Sequence, residues 1–313
     1  MKPIAHKEIR YIKLGRGGCW ADASLRRNEI HFGYKTVPHK LCAAGDWEQV
    51  ILLVQEARDG RKLGTARNVT REIRDFYTLG RDCLWITFAE GYLWWAFAEP
   101  EVIWLGPEEN GQGARTRKVI GKWSNADIAG KLLRENAIST SLTCLKRYQG
   151  TLCDVAPAAY LLRLINAEAD PLLVEAQQVR EELISVADRL IRNLHWHDFE
   201  IMVDLIFARG GWQRASRVGG TQKDIDIALV QPTTGERACV QVKSTATKRK
   251  LNEYVDRCLG NGHSFDRLFF VCHTPTGDLS GMDDRAVPIW TGHALAAKAV
   301  NAGLFDWLVE RVA

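Results

Sequence analysis

A chain of 313 residues is long enough for two domains of ordinary size, each able to bury its own core. Its composition, 46% hydrophobic and 26% charged, is that of a globular protein and excludes both wholesale disorder and a fibrous architecture. The net charge of +4 divides unevenly: residues 1–150 hold 24 basic against 17 acidic residues, a balance of +7, and the rest hold 18 against 21, a balance of −3. That asymmetry points the first half toward a polyanion, although a basic excess of this size also serves solubility alone.

Residues 1–150 are expected to form a β-rich domain with helices in the minority. Short aromatic and β-branched runs (Ile9 to Leu14, Val50 to Val54, Leu84 to Phe88, Leu93 to Phe97, Val102 to Leu105) alternate there with glycine turns. CLWITFAEGYLWWAFAEP predicts a hairpin turning through Ala89 to Tyr92 and closed by Pro100. Charges and a proline at Glu90, Glu99, Pro100 and Glu101 interrupt the most apolar stretch, so it falls short of the ~20 apolar residues of a membrane span. The start, MKPIAHKEIRYIKLG, lacks the apolar core of a secretion signal, and a cytoplasmic location away from membranes is the expectation.

From Ala158 to Leu194 the texture turns helical, and residues 151–194 are expected to be a helical connector. Residues 195–313 then read as helix, three strands, helix, two strands and two helices, the order of an α/β sheet covered by helices. The eight cysteines, with no CxxC pair and no zinc-finger spacing, are expected to be reduced and mostly buried.

The segment GGTQKDIDIALVQPTTGERACVQVKS carries the chemistry. In its first strand Ile225, Ile227 and Leu229 alternate with Asp224, Asp226 and Ala228, so both aspartates leave the greasy face. In its second strand Cys239, Gln241 and Lys243 share a face, and a turn through Pro232 to Gly235 lets the two strands pair. A hard divalent cation takes oxygen ligands of the kind a carboxylate, an amide and a backbone carbonyl supply, and a neighbouring ammonium offsets charge developing on a phosphate.

These residues resemble the PD-(D/E)xK nuclease superfamily, and within it the Mrr-like restriction endonucleases, whose motif has Gln in place of the second acid. The resemblance rests on helix HDFEIMVDLIFARGGW with Glu200, strand DIDIALV with Asp226, strand VQVKS with Gln241 and Lys243, and the closing VPIWTGHALAAKAV. It implies a restriction-endonuclease-like mixed sheet flanked by helices, and phosphodiester hydrolysis with Mg²⁺, for which Mn²⁺ substitutes. Asp226, Gln241 and the Val242 backbone would hold the metal, Lys243 would position the attacking hydroxide, and Glu200 would reach the metal through water or help a second ion. The family usually has glycine two residues before its aspartate, where this chain has Asp224. Asp224 is then either a further ligand or a neighbour crowding the site.

Ser244, Lys248, Arg249 and Lys250 lie where a DNA backbone could pass, and Arg115, Arg117, Lys118 and Lys122 of the first half are candidates for holding phosphates. RDFYTLGRDCLWITF and GYLWWAFAEP resemble PUA-like and EVE-like domains, small β-barrels that in some nucleases read modified bases. That resemblance implies a modification-dependent restriction enzyme. A homodimer is expected where both strands are cut, since one such nuclease site handles one strand at a time. Two other readings stay open: a structure-specific repair or recombination nuclease, and an inactive nuclease fold serving a nucleic-acid-binding protein.

Overall fold

A computed structural model of the chain describes residues 3–56, 63–107, 112–215, 226–260, 265–279 and 286–313. They divide into two units, Met1–Asp170 and Pro171–Ala313.

In chain order the first unit contains β1 Glu8–Ile12, α1 Ala21–Arg27, β2 Glu29–Phe32, α2 His39–Ala44, α3 Trp47–Glu56, α4 Leu63–Thr78, β3 Cys83–Ala89 and β4 Tyr92–Ala98. There follow β5 Ile103–Trp104, β6 Arg115–Ser124, α5 Thr140–Thr143, β7 Leu152–Asp154 and α6 Ala158–Ile165. The expected hairpin is β3 and β4. Ala89 faces Tyr92 across a two-residue turn in which Glu90 (φ 54°) and Gly91 (φ 78°) both take the left-handed conformation that matches strand twist.

The strands run in the order β2-β6-β4-β3-β1-β7, with β5 added on β6, and β1 lies parallel to β3. Side chains alternate across this sheet: Cys83 and Trp85 enter one core with α3 and α4, whereas Leu84 and Ile86 enter a second with α6. Among the described residues no pairing of β2 with β7 closes the path into a barrel. The expectation that helices are a minority in the first unit is corrected, since α1 to α6 hold more of its described residues than its strands do. Val50 to Val54, read as a strand, lies in α3, because Val50 and Val54, four residues apart, are the pair that is buried.

The second unit contains α7 Pro171–Asn193, α8 Trp196–Arg209, β8 Gln213–Arg214, β9 Ile227–Val230, β10 Arg237–Ala246, α9 Lys248–Leu259, β11 Arg267–Pro275, β12 Ile289–Thr291, α10 Gly292–Asn301 and α11 Phe305–Val312. Its sheet, ordered β12-β11-β10-β9-β8, is mixed: β10, β11 and β12 are parallel, and β9 is antiparallel to both its neighbours. Ala238, Val240 and Val242 pack on one face with α7, α8, α10 and α11, and Cys239 packs on the other with Leu251 and Tyr254 of α9. This is the expected mixed sheet flanked by helices.

The expected connector over 151–194 does not stand apart. Leu161 and Ile165 of α6 are buried in the first unit's core, and Ile184, Ala187 and Ile191 of α7 are buried in the second's, so the boundary falls at 170/171. Cys239 and Cys258 are joined in a disulfide between β10 and α9, a correction to the expectation of reduced thiols; the other six cysteines are free. Among the described residues no helix is long and apolar enough to cross a membrane.

Candidate active site

The hairpin of β9 and β10 builds the site. Its turn bonds back on itself, with Gly235 N–H donating to Gln231 O at 2.8 Å and Gly235 adopting φ 74°. This fixes the register at Ala228 opposite Cys239 and Ile227 opposite Val240, so the next step places Asp226 beside Gln241.

Three donors converge on one oxygen. Asp226 Oδ2 accepts from the Gln241 side-chain amide, from Val242 N–H at 2.7 Å and from Lys243 Nζ at 3.3 Å. The ion pair is partly solvated, Lys243 being 30% and Asp226 23% exposed at the side chain. The Lys243 ammonium also stands 5.6 Å from the centre of the Tyr254 ring, which α9 presents to it. Gln241 is 1% exposed, and its Oε1 is buried without a hydrogen-bond partner.

Glu200 lies one turn into α8, half-buried, and its carboxyl is pushed above its ordinary pKa, first by burial and next by the charge of Asp226. Lys243, His197 and Arg214 pull it back down. The helix, the end of β9 and the middle of β10 thus deliver Glu200, Asp226, Gln241 and Lys243 to one locality. His195 caps α8, its Nδ1 accepting from His197 N–H at 3.4 Å. Asp224 lies outside the described residues.

The donor set fits a hard divalent cation by its chemistry. Two carboxylates and a buried amide oxygen lacking a partner are hard oxygen donors, and mutual repulsion of the carboxylates favours a cation beside them. Among the described residues no three His, Cys, Asp or Glu side chains form a metal cluster, so a cation here would also need the amide oxygen of Gln241.

The expected DNA contacts separate into three groups. Lys248 and Arg249 are exposed on the first turn of α9, Ser244 is half-buried, and Lys250 is paired with Glu253 at 3.1 Å. Lys118 and Lys122 are exposed. Arg115 and Arg117, by contrast, are fully buried and correct the expectation. Arg115 donates to Tyr77 Oη at 2.7 Å and to the carbonyls of Gly33, Tyr34 and Val37; Arg117 donates to the carbonyls of Glu99, Phe76 and Ala98. Both fall where β6 crosses the sheet, a placement the local RTRK pattern does not reveal. Sequence reasoning also missed Tyr254, because Leu251, Tyr254 and Cys258 have the spacing of a core stripe.

Residues 191–273 match the Mrr_cat family, described as Restriction endonuclease. That match lies within the second unit and agrees with the Mrr-like, PD-(D/E)xK resemblance of its sequence motifs. Among solved structures the chain matches the DNA modification-dependent restriction endonuclease AspBHI, at 14% identity and a TM-score of 0.27, over 73% of this chain and 68% of that one. That likeness is too distant to carry an argument. No curated protein matches the chain.

Proposed function

We propose that this protein is a metal-dependent DNA endonuclease of restriction or phage defence, cutting phosphodiester bonds at Glu200, Asp226, Gln241 and Lys243. The observation that carries the reading is the Asp226 carboxylate accepting from the Gln241 amide nitrogen, with the Gln241 Oε1 buried and unpartnered and the Lys243 ammonium beside them. Asp226, the Gln241 amide oxygen, the Val242 backbone and Glu200 would hold a hard divalent cation, with Mg²⁺ the ion expected. Bound there, it would supply polarisation of a phosphoryl oxygen and acidification of water.

The chain's own residues do the rest. Lys243 orients the attacking water and offsets charge growing on the phosphate. The Val242 N–H fixes the Asp226 carboxylate, so that its geometry is set before substrate arrives. The basic side chains of Lys248 and Arg249, the first two residues of α9 just beyond the end of β10, would meet the phosphate backbone. Cutting both strands takes two such sites, hence a homodimer.

The test is incubation of purified protein with supercoiled plasmid, with Mg²⁺, with Mn²⁺ or with a chelator. Cleavage that needs a divalent cation and vanishes in Asp226→Ala and Gln241→Ala is expected. Cleavage undiminished by the chelator, or retained in Asp226→Ala, overturns the assignment. The first unit reads the DNA, and modified cytosine is its target class under this proposal. Equal cutting of modified and unmodified plasmids overturns that part alone.

A further inference from the structure

Helix α7 carries two apolar stripes, and the core of the second unit uses one of them. Ile184, Ala187 and Ile191 are buried there with α8, α10 and α11. A second stripe, Leu172, Ala176, Val179, Leu183, Val186 and Leu190, runs the length of the helix at alternating spacings of four and three residues. That is the repeat of a coiled-coil seam. Each buried residue directly follows a member of the second stripe, so the two stripes lie about 100° apart around the helix and face different neighbours.

The second stripe meets solvent over its first half. Every residue from 171 to 182 is exposed, with Leu172 at 68% and Val179 at 57%, whereas Leu183, Val186 and Leu190 are half-buried. Of the eleven large hydrophobic side chains exposed among the described residues, Leu172, Leu173, Val174 and Val179 all stand at the start of α7. Apolar residues exposed singly are ordinary, but a cluster of this kind marks an interaction surface. A helical arm of about twelve residues is also marginal in water by itself. A partner helix along the stripe answers both.

The charges beside the stripe identify the partner and its direction. Glu175, Glu182 and Arg189 flank the seam on one side; Arg180, five residues after Glu175, flanks it on the other, and all four are exposed. In a parallel pair of identical helices a residue on the first side faces the residue five further along its partner. Glu175 then meets Arg180 of the second copy, twice by symmetry, and Glu182 meets no charge. An antiparallel pair centred on the stripe sets Arg180 against Arg180 and Glu182 against Glu182. Arg180 stays 51% exposed beside its 3.2 Å bond to Asn301, which leaves guanidinium donors for the second copy.

We infer that α7 pairs in parallel with α7 of a second copy of this chain, through Leu172, Ala176, Val179 and Leu183. The contact is isologous, the same patch on both copies. Each nuclease unit packs on the carboxy-terminal half of its own α7, so parallel helices bring two candidate active sites to the same end of the pair. Two neighbouring sites are what cutting both strands takes. That consequence rests on the nuclease reading of the second unit; the pairing of the helices does not. The exposed seam is short, so the dimer is a weak one whose population follows concentration.

Sedimentation velocity of the full chain without DNA, from about 1 to about 100 µM, tests the pairing. The mass should rise from 35.3 kDa toward twice that value. Val179→Glu places a charge on each side of the seam and should weaken association by about tenfold or more, with the melting temperature of the dilute protein unchanged. Glu175→Arg should weaken it about three- to tenfold at low salt, and adding Arg180→Glu should restore it, because the reversed pair attracts again.

A chain monomeric at every concentration overturns the proposal, as does a dimer that Val179→Glu leaves intact. A fall in the melting temperature of dilute Val179→Glu overturns it too, since the stripe is then covered within the chain. Rescue of Glu175→Arg by Arg189→Glu in place of Arg180→Glu overturns the parallel direction. Cleavage of supercoiled plasmid in Mg²⁺ keeps the two readings apart, with linear product expected from the wild type and nicked circles from Val179→Glu. A dimer that does not cut refutes the nuclease reading alone, and linear product from a chain that stays monomeric refutes the pairing alone.

Discussion

Replacing Lys243 with alanine should cost far more in rate than in stability. The ammonium lies 3.3 Å from Asp226 Oδ2, in a pair whose side chains remain 30% and 23% exposed, and 5.6 Å from the Tyr254 ring centre. A partly solvated ion pair is worth about 0–1 kcal/mol and a cation–π contact of this kind about 0.5–1 kcal/mol. The folded state therefore loses less than about 2 kcal/mol. The transition state loses more, because removing one preorganised group that meets developing charge costs about 10²–10³ in rate, or about 3–4 kcal/mol. Single-turnover cleavage of supercoiled plasmid in Mg²⁺, run beside thermal melting by circular dichroism, measures both quantities. A variant that cuts within about threefold of the wild-type rate makes Lys243 a passive partner of Asp226. A variant that no longer melts cooperatively makes the loss structural.

Three further outcomes concern the first unit. Gly150→Ala drives a methyl into Glu72 and Tyr148 and should destabilise the protein by about 1–3 kcal/mol, read as a lower denaturation midpoint; an unchanged midpoint refutes the close approach. Arg115→Met strands three buried backbone carbonyls and should cost about 3 kcal/mol or more, whereas Lys118→Ala, on the exposed side of the same strand, should change stability by less than about 0.5 kcal/mol; similar effects from both contradict the burial of Arg115. His31, fully buried, has its pKa lowered to about 4, first by burial and then by the charge of Arg27. The unfolded chain therefore binds the extra proton between about pH 6.5 and 4, and stability should fall across that window as pH decreases, by up to about 3 kcal/mol. His31→Gln should flatten the dependence, and an unaltered pH profile of urea midpoints rules the residue out.

Local pattern was sufficient for much of the second unit. The three-and-four spacing of Phe199, Met202, Val203, Ile206 and Phe207 specified the inner face of α8, and all five are buried. The alternation in VQVKS put Gln241 and Lys243 on one face before any partner was known, and the glycine turn fixed which aspartate lies beside them. Period-two and period-3.6 patterns are properties of neighbouring residues, so they can be read along the chain. The Mrr-like motif was legible for the same reason, since its acid, amide and lysine occupy two adjacent strands of one hairpin.

The sequence by itself thus determined the α/β order of the second unit and the residue types gathered at its candidate site. Tertiary structure alone decided whether each charge meets solvent or the core. Arg115 and Lys118 stand three residues apart on β6, yet one is a buried staple and the other exposed, because the sheet covers one and leaves the other open. It also decided that α6 and α7 join different cores, that Val50 and Val54 lie on a helix, and that Glu72 meets Tyr34 and Tyr148, which are 38 and 76 residues away in the chain. Contacts across such separations depend on how elements pack, and no local periodicity encodes them.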